Sequence, residues 1–385
     1  MLSEKSRPII EATLPLVGSR IGAITVDFYQ RLFSAHPQLL DGLFSRSNQR
    51  SGDQQRALAG SIAAFATHLV NNPGTLPVKV LSRIAHKHAS LGITEEQYDV
   101  VYEHLFAAIA ADLAEVITPG IAEAWTEVYW LMADALIKLE KDLYASQANS
   151  KMWMPWRVTA KEPAGTDAMT FTLEPADDTP VTPAVPGQYI SVKVRLSDGL
   201  RQVRQYSLSG DSGTSRTFTT KLNDGGEVST ALHTGVEPGD ILEISNPYGE
   251  ITLKEGAGPV ILASAGIGCT PTASILRSLA ETGTDRQVLV LHAEKAMDSW
   301  ALSGQMTADA ARIDADLKLW LETPHAAATQ GFMSLREVDV PADASLYLCG
   351  PLPFMKKIRD EAIEAGIPAT RIHYEVFGPD VWLAN

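Results

Sequence analysis

From about Ile9 to Tyr144, apolar residues recur at spacings of three and four, the pattern of the buried face of an α-helix. One such stripe is Leu58, Ile62, Phe65 and Leu69, and a second is Trp125, Met132, Leu136, Leu139 and Leu143. Prolines and glycines fall mostly between these segments, as at Pro73-Gly74 and Pro119-Gly120. The pattern predicts an all-helical domain over residues 1–146.

The hydrophobic pattern changes after residue 150. Short segments rich in β-branched and aromatic residues follow, namely TFTL, YISVKV, TFTTKL and DILEI, separated by turn signals such as Ser197-Asp198-Gly199. They predict an antiparallel β-barrel or sandwich over residues 151–256. From residue 257, apolar strands such as PVILASAG and QVLVLHAEK alternate with helical patterns, which predicts a parallel α/β sheet over residues 257–385. The expected fold class is multidomain α and β: an all-α domain, an antiparallel β-barrel and an α/β parallel-sheet domain.

Composition limits the class of partner. The net charge of −14 over 385 residues disfavours nucleic acid, which is bound through Lys and Arg. Two cysteines, Cys269 and Cys349, are too few for a disulfide framework or a four-thiolate metal site. No apolar run looks long enough to cross a bilayer, and the opening residues lack the pattern of a signal peptide. These features predict a cytoplasmic protein without a membrane span, and we expect a monomer although the sequence leaves the oligomeric state open.

Two histidines, His86 and His88, lie in one helical segment. A helix advances about 100° per residue, so positions two apart point to nearly opposite sides. Leu81, Ile84 and His88 follow the spacing of the buried stripe, which predicts that His88 faces inward and His86 faces solvent. A lone inward histidine is more often a core residue bonded to a carbonyl than a ligand.

Four other polar residues also fall on inward faces of the predicted helices: Tyr29, Gln54, Tyr98 and Glu140. Burying a polar group costs free energy unless it finds a partner. One such residue can be a satisfied core group, but five in a domain of this size, with His88, indicate a site.

The segments LFSRSNQRSGDQQRAL (43–58) and IAHKHASLGITEEQY (84–98), together with the domain order, resemble bacterial flavohaemoglobins. These proteins have a globin domain fused to a ferredoxin-reductase-like module that binds FAD and NAD(P)H. The resemblance implies haem b held by His88 as iron ligand, with Tyr98 and Glu140 as hydrogen-bond partners of its imidazole. It implies Tyr29 and Gln54 as the distal pair that hydrogen-bonds dioxygen.

Three further haem contacts follow from the resemblance: Phe44, Leu58 and Lys87. For Phe44 and Leu58 plain core packing is an equal alternative. Lys87 matches a lysine at the haem edge that faces the flavin domain, and a solvated surface lysine is its alternative.

The strand Arg204-Gln205-Tyr206-Ser207 resembles the family's R-x-Y-[ST] flavin motif. An arginine fork suits the FAD phosphates, and the resemblance places Tyr206 against the isoalloxazine and Ser207 at its reactive edge. The segment Gly225–Ser229 resembles a phosphate-binding turn that leads into a short helix. The implied contacts beyond the motif are Tyr189, Gly226, Val228 and Ser229, with a structural role as the alternative for Tyr189.

Strand PVILASAG leads into a turn that resembles the G-x-G-x-T-P turn of NAD(P)H domains and differs from G-x-G-x-x-G. The implied nucleotide contacts are Gly266, Gly268, Thr270 and Pro271, followed later in the chain by Cys349, Gly350 and Pro351. A small buried residue is the alternative for Cys349. In the C-terminal segment 374–379 the resemblance places Glu375 and Phe377 near the flavin ring. Glu294 and Lys295 follow the second strand, and their opposite charges indicate opposite nucleotide preferences. The choice between NADH and NADPH therefore stays open.

The resemblance implies a nitric oxide dioxygenase, which converts nitric oxide and dioxygen to nitrate with electrons passed from NAD(P)H through FAD to haem. An NAD(P)H-dependent reductase or oxidase that acts on dyes, ferric chelates, quinones or lipid peroxides is the alternative enzyme. A third class, an oxygen or nitric oxide sensor or carrier, is disfavoured by the flavin and nicotinamide motifs. The sequence leaves open whether the distal pocket takes a lipid or an azole.

Overall fold

The computed structural model describes residues 1–210 and 213–378. The chain divides into two compact units. Of the described residues, the first unit comprises 1–152, 198–203 and 378, and the second comprises 153–197 and 204–377. The first unit has one hydrophobic core and the second has two.

Residues 1–152 of the first unit are helical, as predicted, and residues 201–203 of this unit begin strand β4, which is described below with its sheet. The helices of this unit are α1 Arg7–Ala35, α2 Arg46–Ser51, α3 Asp53–Asn71, α4 Val78–Leu91, α5 Glu96–Asp112 and α6 Pro119–Ala145. Helix α1 packs against α3 and α5, and α4 packs against α6. Gly52 and Gly92 follow α2 and α4 with φ of 75°, a left-handed conformation that ends a helix at little cost when the residue is glycine.

Helix α1 meets the test of length and composition for a membrane span, contrary to the sequence-based expectation that no segment would. Its 29 residues include a window with a mean hydropathy of 1.4. The inner residues Ile10, Ile24, Phe28 and Leu32 are buried in the helical core. Length and hydropathy are weak evidence here, because a core helix satisfies the same test.

The second unit begins with an antiparallel sheet of six strands in the order β4-β3-β6-β1-β2-β5. The strands are β1 Met154–Pro163, β2 Ala168–Pro175, β3 Tyr189–Arg195, β4 Arg201–Ser207, β5 Arg216–Lys221 and β6 Ile241–Ile244, with helix α7 Glu227–Gly235 between the last two. An isolated antiparallel bridge between Leu208 and Phe218 joins the residue after β4 to β5. The two ends of the sheet therefore meet, as in the predicted barrel.

A parallel sheet of six strands follows, in the order β10-β9-β8-β7-β11-β12. Its elements are β7 Val260–Ala265, α8 Cys269–Thr282, β8 Val288–Glu294, α9 Ser303–Arg312, β9 Asp316–Leu321, β10 Thr329–Gln330, β11 Ser345–Cys349, α10 Leu352–Glu364 and β12 Ile372–Glu375. The central strands β7 and β8 are almost wholly buried, which explains their uninterrupted apolar sequences. The strand order reverses between β7 and β11, and in open α/β sheets ligands bind in the crevice at such a reversal.

Candidate functional site

A buried carboxylate and a tyrosine hold one ring nitrogen of His88. Glu140 Oε1 lies 2.9 Å from His88 Nδ1, and the Tyr98 hydroxyl lies 3.0 Å from the same nitrogen. The Tyr98 hydroxyl also donates to Glu140 Oε1 at 2.6 Å. Tyr98 and Glu140 are 6% and 2% exposed. Three residues from helices α4, α5 and α6, predicted separately from helical phase, thus form one hydrogen-bonded triad.

This triad fixes the tautomer of His88. An ionised carboxylate can only accept hydrogen bonds, so Nδ1 carries the ring proton and donates it to Glu140. Nε2 then keeps its lone pair and is the nitrogen available to a metal. Burial, aided by the Glu140 charge, raises the pKa of Tyr98 well above its ordinary value, so its hydroxyl remains a donor. A histidine with this backing suits a haem iron, because the donated proton increases the basicity of the ligand.

Two tyrosines of α6 that the sequence reasoning missed bond the main chain at the start of α5 and in the loop before it. The Tyr129 hydroxyl donates to the Tyr98 carbonyl at 2.6 Å, and the Tyr144 hydroxyl donates to the Ile93 carbonyl at 2.7 Å. Tyr129, Glu140 and Tyr144 lie eleven and four residues apart, so they share one face of α6. That spacing is the signal that could have identified them.

The inner face of α4 differs from the prediction. Its buried centre is Leu81, Ala85 and Ala89, whereas the prediction counted only large apolar residues. His88 lies beside this stripe, with its side chain 32% exposed. His86 was predicted to face solvent but is half-buried, because the inner face of α4 is centred on Ala85 and Ala89 and not on the large apolar residues from which the phase was taken.

Tyr29 lies in an aromatic cluster of the helical unit. It is 5% exposed, and its ring centroid lies 4.6 Å from that of Phe28, 5.6 Å from Phe33 and 5.9 Å from Phe44. Burial raises the pKa of Tyr29 well above its ordinary value, opposed by a hydrogen bond with Gln54. The predicted distal pair is therefore in contact, and Tyr29 keeps its proton across the ordinary pH range.

The other predicted haem contacts surround the same core. Phe44 and Leu58 are partly buried and pack against it, an arrangement that fits both the haem-contact role and plain core packing. Lys87 is half-buried and its Nζ donates to the Gly378 carbonyl at 2.8 Å, both residues being part of the first unit. Lys87 is thus held by a backbone carbonyl, and its place at the haem edge stays a prediction.

Strand β4 carries the predicted flavin motif. Because side chains alternate along a strand, Arg204 and Tyr206 point to one face and Gln205 and Ser207 to the other. Tyr206 stacks on Phe218 with centroids 4.9 Å apart, and burial raises its pKa to about 12. The Gln205 amide donates to the Ser191 hydroxyl at 3.0 Å.

Ser207 is the residue of this motif whose surroundings fit a bound flavin most directly. It is 3% exposed, and its hydroxyl has no hydrogen-bond partner among the residues that the structure describes. A buried hydroxyl without a partner costs free energy. The polar edge of an isoalloxazine would supply that partner.

The predicted phosphate turn leads into α7, which begins at Glu227 as expected. The Ser229 hydroxyl donates to the Gly226 carbonyl and accepts from the Asn223 amide, and Val228 is buried in the barrel core. A Cβ on Gly226 would lie 2.5 Å from Ser229 Oγ, so a larger residue there would displace the Ser229 hydroxyl from its two hydrogen bonds. The side chains of Ser229 and Val228 therefore stabilise the turn. The backbone N–H groups at the start of α7 are then the groups that would bind a phosphate.

Tyr189 begins β3 and exchanges backbone hydrogen bonds with Tyr248 at 2.8 and 2.9 Å. It is 6% exposed, and its ring lies against Gly249, where a Cβ would be 3.2 Å from the ring. This packing explains the position without a ligand, so the structural alternative for Tyr189 has direct support.

The two predicted nicotinamide motifs meet at the strand-order reversal. Gly266 follows β7 with φ of 55°, and a Cβ on Gly268 would lie 2.4 Å from the Cys349 carbonyl at the end of β11. Glycine at position 268 is therefore needed for the two loops to touch. The Thr270 hydroxyl donates to the Ile267 carbonyl at 3.1 Å, and the buried Pro271 continues α8.

Cys349 lies opposite Glu375 in the pairing of β11 with β12. Burial, followed by the nearby Glu375, raises the pKa of the Cys349 thiol, which therefore stays protonated. Gly350 and Pro351 connect this strand to α10. Phe377 is 48% exposed, and Pro379 of the same predicted segment lies outside the described residues.

A helical unit with an inward histidine triad, an antiparallel barrel with a flavin-type strand and a parallel sheet with a dinucleotide turn define the class of haem-flavin oxidoreductases. The Globin family matches residues 26–136, and the family described as Oxidoreductase FAD-binding domain matches residues 155–253. Both matches agree with the fold classes predicted for those regions, an all-helical domain and an antiparallel β-barrel.

Full-length relatives narrow the class. The flavohemoprotein of Rhizobium meliloti is 38% identical over 99% of this chain and 100% of its own length, and that of Chromobacterium violaceum is 38% identical over 98% of each. The crystal structure of flavohemoglobin from Malassezia yamatoensis with bound FAD and heme is 43% identical with a TM-score of 0.94, covering 98% of this chain and 100% of that one. The FAD/NAD-binding domain of a nitric oxide dioxygenase from Vibrio cholerae is 32% identical with a TM-score of 0.57, over 59% of this chain and 99% of that one. The chain belongs to the flavohaemoprotein family.

Proposed function

We propose that this protein is a nitric oxide dioxygenase that removes nitric oxide with electrons from NAD(P)H. Membership of the flavohaemoprotein family supports the reaction class. The observation that carries the proposal is the His88–Tyr98–Glu140 triad, with Glu140 Oε1 2.9 Å from His88 Nδ1. A protein that only carries oxygen does not need a buried carboxylate bonded to its iron ligand. Oxygen activation, in contrast, gains from the electron-rich ligand that such a carboxylate produces.

The residues fit the two resident cofactors. His88 Nε2 would hold the haem iron, with Phe44 and Leu58 beside the macrocycle, and Ser207 with the α7 turn would hold FAD. When bound, haem supplies the oxygen-binding iron and FAD divides a hydride into single electrons. Glu140 keeps the proton of His88 on Nδ1, and Tyr29 presents a hydroxyl donor from an apolar cluster that excludes water. The crevice between β7 and β11 would take the nicotinamide nucleotide.

The electron balance gives a direct test. Conversion of nitric oxide and dioxygen to nitrate consumes one electron, so each NAD(P)H, which delivers two, should yield about two nitrate ions. We expect purified, haem- and FAD-loaded protein to consume nitric oxide with this ratio of nitrate to oxidised nucleotide. A ratio near zero, with rapid NAD(P)H oxidation, would favour the alternative of a reductase or oxidase that acts on dyes, ferric chelates or lipid peroxides.

Substitution of the iron ligand separates the two activities. His88→Ala should abolish nitric oxide consumption while NAD(P)H-driven dye reduction continues, because the flavin and nucleotide motifs lie in the second unit. Retention of nitric oxide consumption by this variant would exclude the haem mechanism.

We also propose that the protein acts in the cytoplasm as a monomer. The supply of NAD(P)H there and the two buried, unpaired cysteines support this location. A lipid or an azole is a further proposed occupant of the distal side, supported by the aromatic cluster around Tyr29. Sedimentation velocity would test the oligomeric state, and displacement of the Soret band by an azole would test the distal ligand.

A further inference from the structure

The segment that carries Phe44 is attached to the start of strand β4. Residues 41–45 precede helix α2 and contain no helix or strand of their own, so no regular element satisfies their backbone groups. Residues 198–203 belong to the same unit and supply partners. The Gly42 N–H donates to the Arg201 carbonyl at 2.8 Å, which joins the main chain of the segment to the main chain of β4.

Gln202 bonds the main chain at both ends of this segment. The residue is fully buried, at 0% exposed. Its amide nitrogen donates to the Leu40 carbonyl at 3.0 Å and to the Arg201 carbonyl at 3.1 Å, and its amide oxygen accepts the Arg46 N–H at 3.1 Å. Carbonyls only accept and an N–H only donates, so one orientation of the amide satisfies all three groups. One side chain therefore fixes the distance between the two ends of the segment.

Two ion pairs at the surface reinforce this attachment. Arg201 Nη2 lies 2.7 Å from Asp41 Oδ2, and the Arg201 backbone N–H donates to Asp41 Oδ1 at 2.7 Å. At the other end of the segment, Arg46 Nη1 lies 2.6 Å from Asp198 Oδ2. Exposed ion pairs contribute little, whereas loss of a buried amide leaves backbone groups without partners. Gln202 is therefore the part of the attachment whose loss should have the largest effect.

The attached segment supplies one ring of the aromatic cluster around Tyr29. Phe44 lies between the two ends that Gln202 bonds, and its ring centroid is 5.9 Å from that of Tyr29 and 5.2 Å from that of Phe33. Both contacts are edge to face, so a displacement of the segment would move the ring that packs against Tyr29.

We propose that Gln202 is a positioning residue of the haem site, which holds Phe44 against Tyr29 by fixing both ends of the segment 41–45. The strand that carries the flavin motif, β4, thereby also contributes to the scaffold of the haem site. This inference deepens the proposed function and rests on the haem site that it contains, with Tyr29 and Phe44 on the distal side.

The test uses the haem- and FAD-loaded full-length protein and the variant Gln202→Met, which keeps the length of the side chain and removes its hydrogen bonds. Haem should transfer to an excess of a haem-binding acceptor protein at least about tenfold faster, because buried backbone groups lose their partners. The infrared stretching band of carbon monoxide on the ferrous haem reports the polar groups close to the bound gas. This band should broaden and shift in the direction that Tyr29→Phe produces, since the Tyr29 hydroxyl loses its fixed position.

Gln147→Met is the matched control, because the Gln147 amide also donates to a carbonyl of the helical unit, that of Leu143, at 3.0 Å. It should leave the rate of haem transfer within about twofold and the infrared band unchanged. Asp41→Asn weakens the same attachment at the surface, where it should not impair folding, and should speed haem transfer about two- to threefold. It decides the question if Gln202→Met does not fold.

The outcomes separate a positioning role from a structural one. Faster haem transfer with an unchanged infrared band in Gln202→Met, or equal changes in Gln147→Met, would overturn the positioning role. Wild-type values in Gln202→Met, or in Asp41→Asn if the first variant does not fold, would also overturn it. A wild type that binds no haem would overturn the proposed function together with this inference. Wild-type values in a Gln202→Met protein that binds haem and consumes nitric oxide would overturn this inference alone.

Discussion

Replacement of Glu140 by glutamine tests the triad most sharply, because it removes a charge and keeps the volume of the side chain. Glu140 Oε1 accepts from both the His88 ring at 2.9 Å and the Tyr98 hydroxyl at 2.6 Å. Glutamine can still accept through its carbonyl oxygen, but as a neutral group. The variant should therefore fold, and any change should come from the lost charge.

The size of the effect follows from the two hydrogen bonds. Bonds to a charged acceptor contribute about 1.5–3 kcal/mol and neutral ones about 1 kcal/mol, so each bond loses about 0.5–2 kcal/mol. Since both donors share one buried oxygen, we take about 2 kcal/mol for the site, equivalent to about a thirtyfold loss of haem affinity. This value lies within the 10- to 100-fold range typical of partners behind a metal ligand.

Haem affinity can be measured from the rate of haem transfer to an excess of a haem-binding acceptor protein. We expect Glu140→Gln to lose haem about thirtyfold faster and to have a raised iron reduction potential, since the imidazole becomes a poorer electron donor. Glu103→Gln, at an exposed position of α5, is the matched control and should change neither value. Wild-type haem retention together with an unchanged potential in Glu140→Gln would refute the electronic role assigned to the carboxylate.

Three further substitutions test other parts of the molecule. Tyr29→Phe should release oxygen about ten- to a hundredfold faster in flash photolysis, because a buried donor is lost, and an unchanged rate would reject that role. Gly268→Ala should destabilise the protein by about 1–3 kcal/mol in urea unfolding, since its Cβ would lie 2.4 Å from the Cys349 carbonyl, whereas Gly304→Ala, with open space around it, should not. Burial raises the pKa of Tyr98, so the stability gained from its neutral form is complete below pH about 10 and is lost as the pH rises above that value. Tyr98→Phe should therefore reduce the loss of unfolding free energy between pH 9 and 11 by about 1 kcal/mol, and an unchanged slope would contradict the assignment.

The fold was predictable because each region has its own hydrophobic period. The three-and-four spacing of α3 and α6, the short β-branched segments of the barrel and the uninterrupted apolar β7 and β8 each correspond to a different way of burying side chains. Lengths were less predictable. The helix predicted around Tyr29 from Ile21 to Phe33 extends from Arg7 to Ala35, and Pro15 lies inside it without ending it.

Helical phase predicted which polar residues face inward but not which residues they bond. Tyr98 and Glu140 are forty-two residues apart, and their 2.6 Å contact depends on how α5 and α6 pack, which no local pattern contains. The error at His86 has a related cause, since the buried centre of α4 includes Ala85 and Ala89, which a pattern of large apolar residues does not count.

The nucleotide end of the parallel sheet shows the complementary case, in which topology locates a site and burial decides its chemistry. Strand order alone brings the Gly266 turn and the Cys349 loop to one crevice, and both motifs could be placed there from the sequence. The adjacent Glu294 and Lys295 remain equivalent at that level, since both follow the same strand. Glu294 is buried and accepts a hydrogen bond from the Lys295 N–H, whereas the Lys295 side chain is exposed to solvent. Burial and a backbone hydrogen bond, which depend on how the strands pack, therefore distinguish two charges that are adjacent in the sequence.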